Sequence, residues 1–150
     1  MDSLKKMSYM GSLRPGEETL GKWLSDTGLP IKKFNSKSFA IQMSHQYVDY
    51  WAEVVDHGEW TSIAAVLFGE VVGRNSQEFY RFVLELNTSL NAAHIAVDSG
   101  RIVLVGNFPS EDVTKYRLFR DLSYFHQTHE YVYGLLLDKA EEFKVAFKPL

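Results

Sequence analysis

The chain contains no cysteine, which excludes disulfides, thiolate metal sites and a cysteine nucleophile, and is compatible with a reducing compartment. It also lacks any apolar run approaching the length of a membrane-spanning helix. Its first residues do not form a secretory signal: Lys5 and Lys6 lead into Met7, Ser8, Tyr9 and Met10, then Gly11 and Ser12, too short and polar for an apolar signal core. These absences set the expectation of a cytoplasmic protein with no membrane partner. A dominant charge of one sign is missing as well, with 16 basic against 19 acidic residues and a net charge of −3. A nucleic-acid partner is therefore not expected, because a duplex binder carries a clustered basic footprint.

Chemical motifs are equally thin. His126 and His129 stand three apart in His-Gln-Thr-His-Glu, but the His-Glu-x-x-His spacing is absent and a metal would need further ligands from elsewhere. His45, His57 and His94 sit on or beside strands and read as structural. Gly69-Glu70-Val71-Val72-Gly73 lies between a strand and a helix, yet lacks the Gly-Lys-Ser/Thr ending and the full Gly-x-Gly-x-x-Gly pattern. Asp49 and Glu53 fall on one strand face, where solvated acids are the ordinary case. No nucleophile–base pair stands out. The expectation is a protein that is not an enzyme, with no cofactor and no metal.

What is present supports a packed fold. The chain has 150 residues, 45% of them apolar and 14% aromatic, enough for one domain that buries about two-thirds of its unfolded surface. Residues 1–14 read as a loosely held N-terminal arm and 15–150 as a single α+β domain. Leu20, Trp23 and Leu24 fall at helical spacing, giving a short amphipathic helix over 16–26 that Gly28 and Pro30 end. Lys32 to Ser36 continue as a polar connection. Phe39, Ile41 and Met43 alternate with polar or small residues as a half-buried strand. A second strand runs from about Tyr47 to Val55, with Val48, Tyr50, Ala52 and Val54 assigned to the core. His57-Gly58-Glu59 turns the chain, and Trp60 to Val71 reads as an inner strand covered on both faces.

Asn75, with Glu78 three residues on, predicts the cap of a second helix whose stripe is Phe79, Phe82, Val83, Leu86 and Leu90. The best-specified stretch follows, from Asn87 to Pro109. Ile95 to Val97 and Ile102 to Val105 form a β-hairpin, joined by a three-residue Asp98-Ser99-Gly100 loop in which Gly100 supplies the positive φ. Ser110, followed by Glu111 and Asp112, caps a long last helix. Its stripe exceeds 25 residues, which predicts a bend or break near Gly134. The order is α-β-β-β-α-β-β-α, an antiparallel sheet packed against helices.

One strand face mixes aromatics with acids: Tyr47, Asp49, Trp51, Glu53 and Val55. With Trp23 on the first helix, Tyr47, Trp51 and Val55 are the candidate partner-binding residues, an apolar patch rimmed by carboxylates. Periodicity does not place the first helix on either sheet face, so the same residues suit a core beneath that helix equally well.

Leu84-Glu85-Leu86-Asn87, then Ile95-Ala96-Val97-Asp98-Ser99-Gly100, Ile102-Val103-Leu104-Val105, Phe108-Pro109 and a long amphipathic helix resemble the type III secretion chaperone-like fold. The resemblance includes its YbjN-like branch of small bacterial proteins outside secretion systems. It covers 75–143 well and 16–72 by topology alone. It implies a chaperone-like, non-enzymatic homodimer that holds an extended segment of a partner protein on apolar patches. In such proteins the second helix and nearby strands often build the dimer interface. The alternative is a small-molecule sensor or enzyme with a pocket between sheet and last helix, His126 and His129 inside it.

Overall fold

The computed structural model describes residues 17–110 and 114–150. The expected N-terminal arm, and Glu111 and Asp112, lie outside the described residues. In chain order the elements are α1 (Glu17–Ser25), β1 (Ile31–Asn35), β2 (Ser38–Ser44), β3 (Asp49–Asp56), β4 (Trp60–Phe68), β5 (Val71–Val72), α2 (Ser76–Glu85), a 3₁₀ turn (Leu86–Ser89), β6 (His94–Asp98), β7 (Arg101–Pro109), α3 (Lys115–Phe143) and β8 (Ala146–Phe147). The fold is α+β. Six strands form an antiparallel sheet in the order β1-β2-β3-β4-β7-β6, and the three described helices pack against it. A separate small ribbon pairs β5 with β8.

Strict alternation puts one side of the sheet in the core. Phe39, Ile41, Val54, Ile63, Ile102 and Leu104 are almost completely buried and cluster with Leu20 and Leu24 of α1, Phe79 and Val83 of α2, and Phe125, Val132 and Leu136 of α3. Asp26 at the end of α1 pairs with Lys115 at the start of α3 at 2.8 Å, which ties the two helices together on that side.

Several expectations change. Residues 32–35 are not a connection but the body of β1, an edge strand whose five residues are all exposed. No burial alternation could announce it, and its lysines are the usual protection of an open edge. β4 is an inner strand as expected, yet it is buried on one face only: Ser62, Ala64 and Val66 remain half exposed on the other. Asn75 takes the N-cap position but forms no capping box, since its amide donates instead to the Phe143 carbonyl at 2.8 Å. The β6–β7 loop has two residues rather than three, because Asp98 pairs with Arg101. Ser99 and Gly100 both have positive φ, 53° and 82°, as the turn type matched to strand twist requires.

Ser110 is not the cap of α3. It is fully buried, its hydroxyl 2.9 Å from that of Thr61, and it fastens the end of β7 to the start of β4. The cap of α3 is Thr114, whose side chain accepts from the Arg117 N–H. α3 then runs unbroken for 29 residues. Gly134 is there for a different reason than bending: a Cβ on it would lie 2.6 Å from the Tyr47 hydroxyl oxygen.

Asn87 gives the hairpin fingerprint a physical meaning. Its side-chain oxygen accepts from the Ile95 N–H at 2.7 Å and its amide donates to the Ile95 carbonyl at 2.9 Å. One side chain thus imitates a neighbouring strand along the edge of β6. Asn87→Ala leaves both backbone groups of a nearly buried residue unpaired, with an expected loss of about 2 kcal/mol. Urea unfolding measures it, and an unchanged midpoint would mean water replaces the amide without cost.

Candidate partner-binding surface

The pairing register defines the side of the sheet that faces away from the helices. Lys32, Ala40, Glu53, Ala64, Val105 and His94 form one cross-strand row. A second row carries Gln42 beside Trp51 and Val66 beside Val103 and Ala96. The buried residues of all three described helices join the core on the opposite side. Antiparallel sheets with one solvated face usually place polar residues there; this one places Trp51, Val55, Ala64, Val66, Val103 and Val105, all half exposed, with Phe34 57% exposed on β1. A shallow groove of about 420 Å³ runs between Phe34, Trp51, Val66, Val103 and Val105, edged by Glu53, Asp98 and Arg101. The Lys32 ammonium lies over the Trp51 ring, 4.1 Å from its centroid, a cation–π contact.

At the other side of the molecule the loop joining β2 to β3 docks on α3 through three consecutive residues. His45 Nε2 lies 2.8 Å from His129 Nδ1, Gln46 donates to Glu130 at 2.8 Å, and Tyr47 stacks on Tyr133 at 5.9 Å while covering Gly134. The Tyr47 backbone N–H donates to His45 Nδ1 at 3.2 Å. His45 therefore carries its proton on Nε2 and donates it to His129 Nδ1, and His129 must be protonated on Nε2, a buried atom with no partner among the described residues. The Tyr50 ring stacks on His129 at 3.6 Å with its hydroxyl 2.9 Å from His126 Nδ1.

The surroundings keep the His129 ring neutral and disfavour the charged form of His45. Burial, reinforced by the neighbouring His45 and His126, pushes His129 down to about 3 from its ordinary 6.5. Burial and His126 lower His45 too, against the opposing pull of Glu130 and Asp49. Burial raises the Tyr50 phenol above its ordinary range, so it stays a hydrogen-bond donor.

A cleft of about 380 Å³ lies between the end of α1 and α3, lined by Leu29, Met43, Phe119, Leu122 and His126 among others. His126 borders it, whereas His129 is wholly buried away from solvent. Among the described residues no group of three or more potential ligands is arranged to hold a metal ion, and no helix is long and apolar enough to cross a membrane.

The four residues singled out in the sequence are not one patch. Trp51 and Val55 share the open sheet face. Tyr47 lies past the end of that face, 45% exposed and engaged with α3. Trp23 sits on α1, on the helical side, partly buried against the core. So α1 does not cover Trp51. Missing from the sequence reading were Phe34, hidden in an unrecognised strand, and Val66, Val103 and Val105. The last two were legible as alternate positions of an apolar strand, but only the pairing register assigns them to the Trp51 side.

No protein-family model and no curated protein matches the chain in sequence. Solved structures do match in shape. YbjN of E. coli, described as a putative transcription regulator, superposes with a TM-score of 0.60 at 16% identity over 90% of this chain and 97% of its own. A chain of the heterodimeric ExoU–SpcU complex from the type III secretion system of Pseudomonas aeruginosa gives 0.52 at 17% identity, covering 76% and 94%. A chain of the HopA1–SchA chaperone–effector complex gives 0.52 at 10% identity, covering 75% and 88%. The fold is therefore secretion-chaperone-like and YbjN-like; likeness at such identities speaks of fold and not of activity.

Proposed function

We propose that this chain is a non-enzymatic, cytoplasmic, chaperone-like module that holds an extended segment of a partner protein on the open face of its sheet, and that it works as a homodimer. The observation that carries the reading is the apolar outer face, Phe34 to Val105, left open by every described helix. Two of the structural neighbours come from complexes in which two different proteins are joined, one of them named as chaperone with effector, and this supports a protein as the ligand. The shape of the face fits the same conclusion. It is a flat, shallow groove with charges at its rim, suited to an extended segment whose alternate side chains point down.

Trp51 is the expected anchor, since tryptophan dominates the energetics of such surfaces. Trp51→Asp should reduce retention of the partner from native lysate by about 30-fold or more, as loss of an anchor worth ~2 kcal/mol or above requires. The same variant should melt close to the parent, because Trp51 is only half buried and outside the core. Quantitative mass spectrometry of material captured on parent and variant side by side makes the comparison. Equal retention would remove the sheet face from the function.

A further inference from the structure

The outward side of α3 carries a stripe that neither the core nor the sheet face uses. Arg117, Arg120, Tyr124, Gln127, Tyr131 and Asp138 follow one another at intervals of three, four or seven residues, so they lie along one line of the helix. Tyr124 and Tyr131 are 48% and 61% exposed. Grooves run on both sides of this ridge, one of about 510 Å³ against Ser89 to Ala92 and one of about 540 Å³ against Gln46 and Tyr47. Along this line Arg117 and Arg120 stand near the start and Asp138 near the end, while Asp121 and Lys139 lie off it. Neither Arg117 nor Asp138 has an ion-pair partner among the described residues, and Arg117 Nε is buried with no hydrogen-bond partner.

We infer that this ridge is where a second copy of the chain docks, its α3 antiparallel to the first, with the two-fold axis passing between Gln127 and Thr128. The charge pattern selects this occupant. An antiparallel copy sets Arg117 opposite Asp138 of the second copy, and the symmetry makes that contact twice. The same axis sets Tyr124 opposite Tyr131 and Gln127 opposite Thr128, so the tyrosines stack in the middle and the unpaired charges close the ends. A parallel copy would instead oppose arginine to arginine. The inference deepens the homodimer element of the proposed function by naming its face, on the last helix rather than on the second helix and nearby strands that the resemblance implies. It also leaves both open sheet faces pointing away from the axis, so a dimer presents two docking surfaces.

Charge reversal tests it on the full chain by sedimentation. The parent should be a dimer. Arg117→Glu and Asp138→Arg should each weaken dimerisation about 10-fold or more, since each alters two symmetric contacts. The double variant R117E/D138R restores opposite charges across the axis and should recover to within about 3-fold of the parent. Circular dichroism confirms folding; should Arg117→Glu fail to fold, Tyr131→Asp, at an exposed site, replaces it beside Asp138→Arg. A dimeric parent indifferent to both exposed-site variants would overturn this face while leaving a homodimer standing. A monomeric parent would overturn both.

Discussion

The urea midpoint of this protein is expected to fall steadily as the pH drops from 6.5 towards about 3, the interval between the ordinary and the folded-state values of His129. The sign follows from proton counts. The unfolded chain takes up a proton on His129 near pH 6.5, whereas the folded chain holds the ring neutral, so acid favours unfolding throughout the interval. One such histidine contributes about 1.4 kcal/mol per pH unit, or roughly 4 kcal/mol across the window. His45, lowered for the same reason, adds to it in the same direction. Asp121, which burial raises, opposes it near the acid end, and Asp26, held low by its hydrogen bond to Lys115, matters only below the ordinary carboxylate range.

The hydrogen bonds say why the fold cannot absorb the proton. His45 Nδ1 already accepts from the Tyr47 N–H, and His129 Nδ1 already accepts from His45. Protonating either ring turns an acceptor into a donor facing a donor. The loop between β2 and β3 should therefore be the first part to leave α3. His129→Phe keeps the stack on Tyr50 and removes the titrating group, and its midpoint should lose about one proton's worth of pH slope. A parent with a flat midpoint over this interval would mean that water reaches His129.

Gly69→Ala is expected to destabilise the fold by ~3 kcal/mol, at the upper end of what overpacking costs. A Cβ at Gly69 would run into the backbone carbonyl of Lys148, which cannot swing aside as a side-chain tip can. Lys148 N–H donates to the Glu70 carbonyl at 2.8 Å, and β8 pairs with β5 just before it. To make room, the C-terminal segment must lift. Phe147 would then leave its stack on Phe68, at 4.2 Å, and its edge-to-face contact with Phe79, at 5.8 Å. Thermal melting reports the loss, and limited proteolysis should cut the variant after Phe143 under conditions that spare the parent. A variant that melts with the parent would show that the segment is not held against Gly69 in solution.

Much of this architecture was legible because burial writes itself as a period. β2 alternates apolar with small or polar residues and α2 repeats apolar residues at helical spacing, so their inward faces could be read directly, whereas β7 is apolar from Ile102 to Val105 and only its pairing shows which side faces in. β1, β5 and β8 could not be read. β1 is exposed on all sides, and the other two are pairs of residues whose only strand property is a distant partner. Side-chain hydrogen bonds misled for a related reason. Ser110 and Asn75 stand where caps stand, but each finds a better partner far along the chain, Thr61 in one case and the Phe143 carbonyl in the other. Gly134 reads as a helix breaker until Tyr47 is seen lying over it.

The candidate surface was half legible. Trp51 and Val55 were picked out by an aromatic strand face where polar residues are the rule, and that anomaly survives in three dimensions. Tyr47 entered as the alternate position that continues the Asp49, Trp51, Glu53 and Val55 face, and Trp23 as the aromatic of the first helix; β3 begins only at Asp49, so Tyr47 turns onto α3, and Trp23 stays on the helical side. His45 and His129 lie 84 residues apart in the chain, so no spacing could have joined them.

Site-specific photocrosslinking tests the central claim most directly. A photoreactive residue replacing Val66, in the middle of the open face, and one replacing Leu137, on the helical side, would be irradiated with the partner captured from native lysate. Crosslinks to one protein from position 66, absent from position 137 and lost on adding Trp51→Asp, are the predicted result. Crosslinks from position 137 alone would place the partner on the helices and contradict the claim.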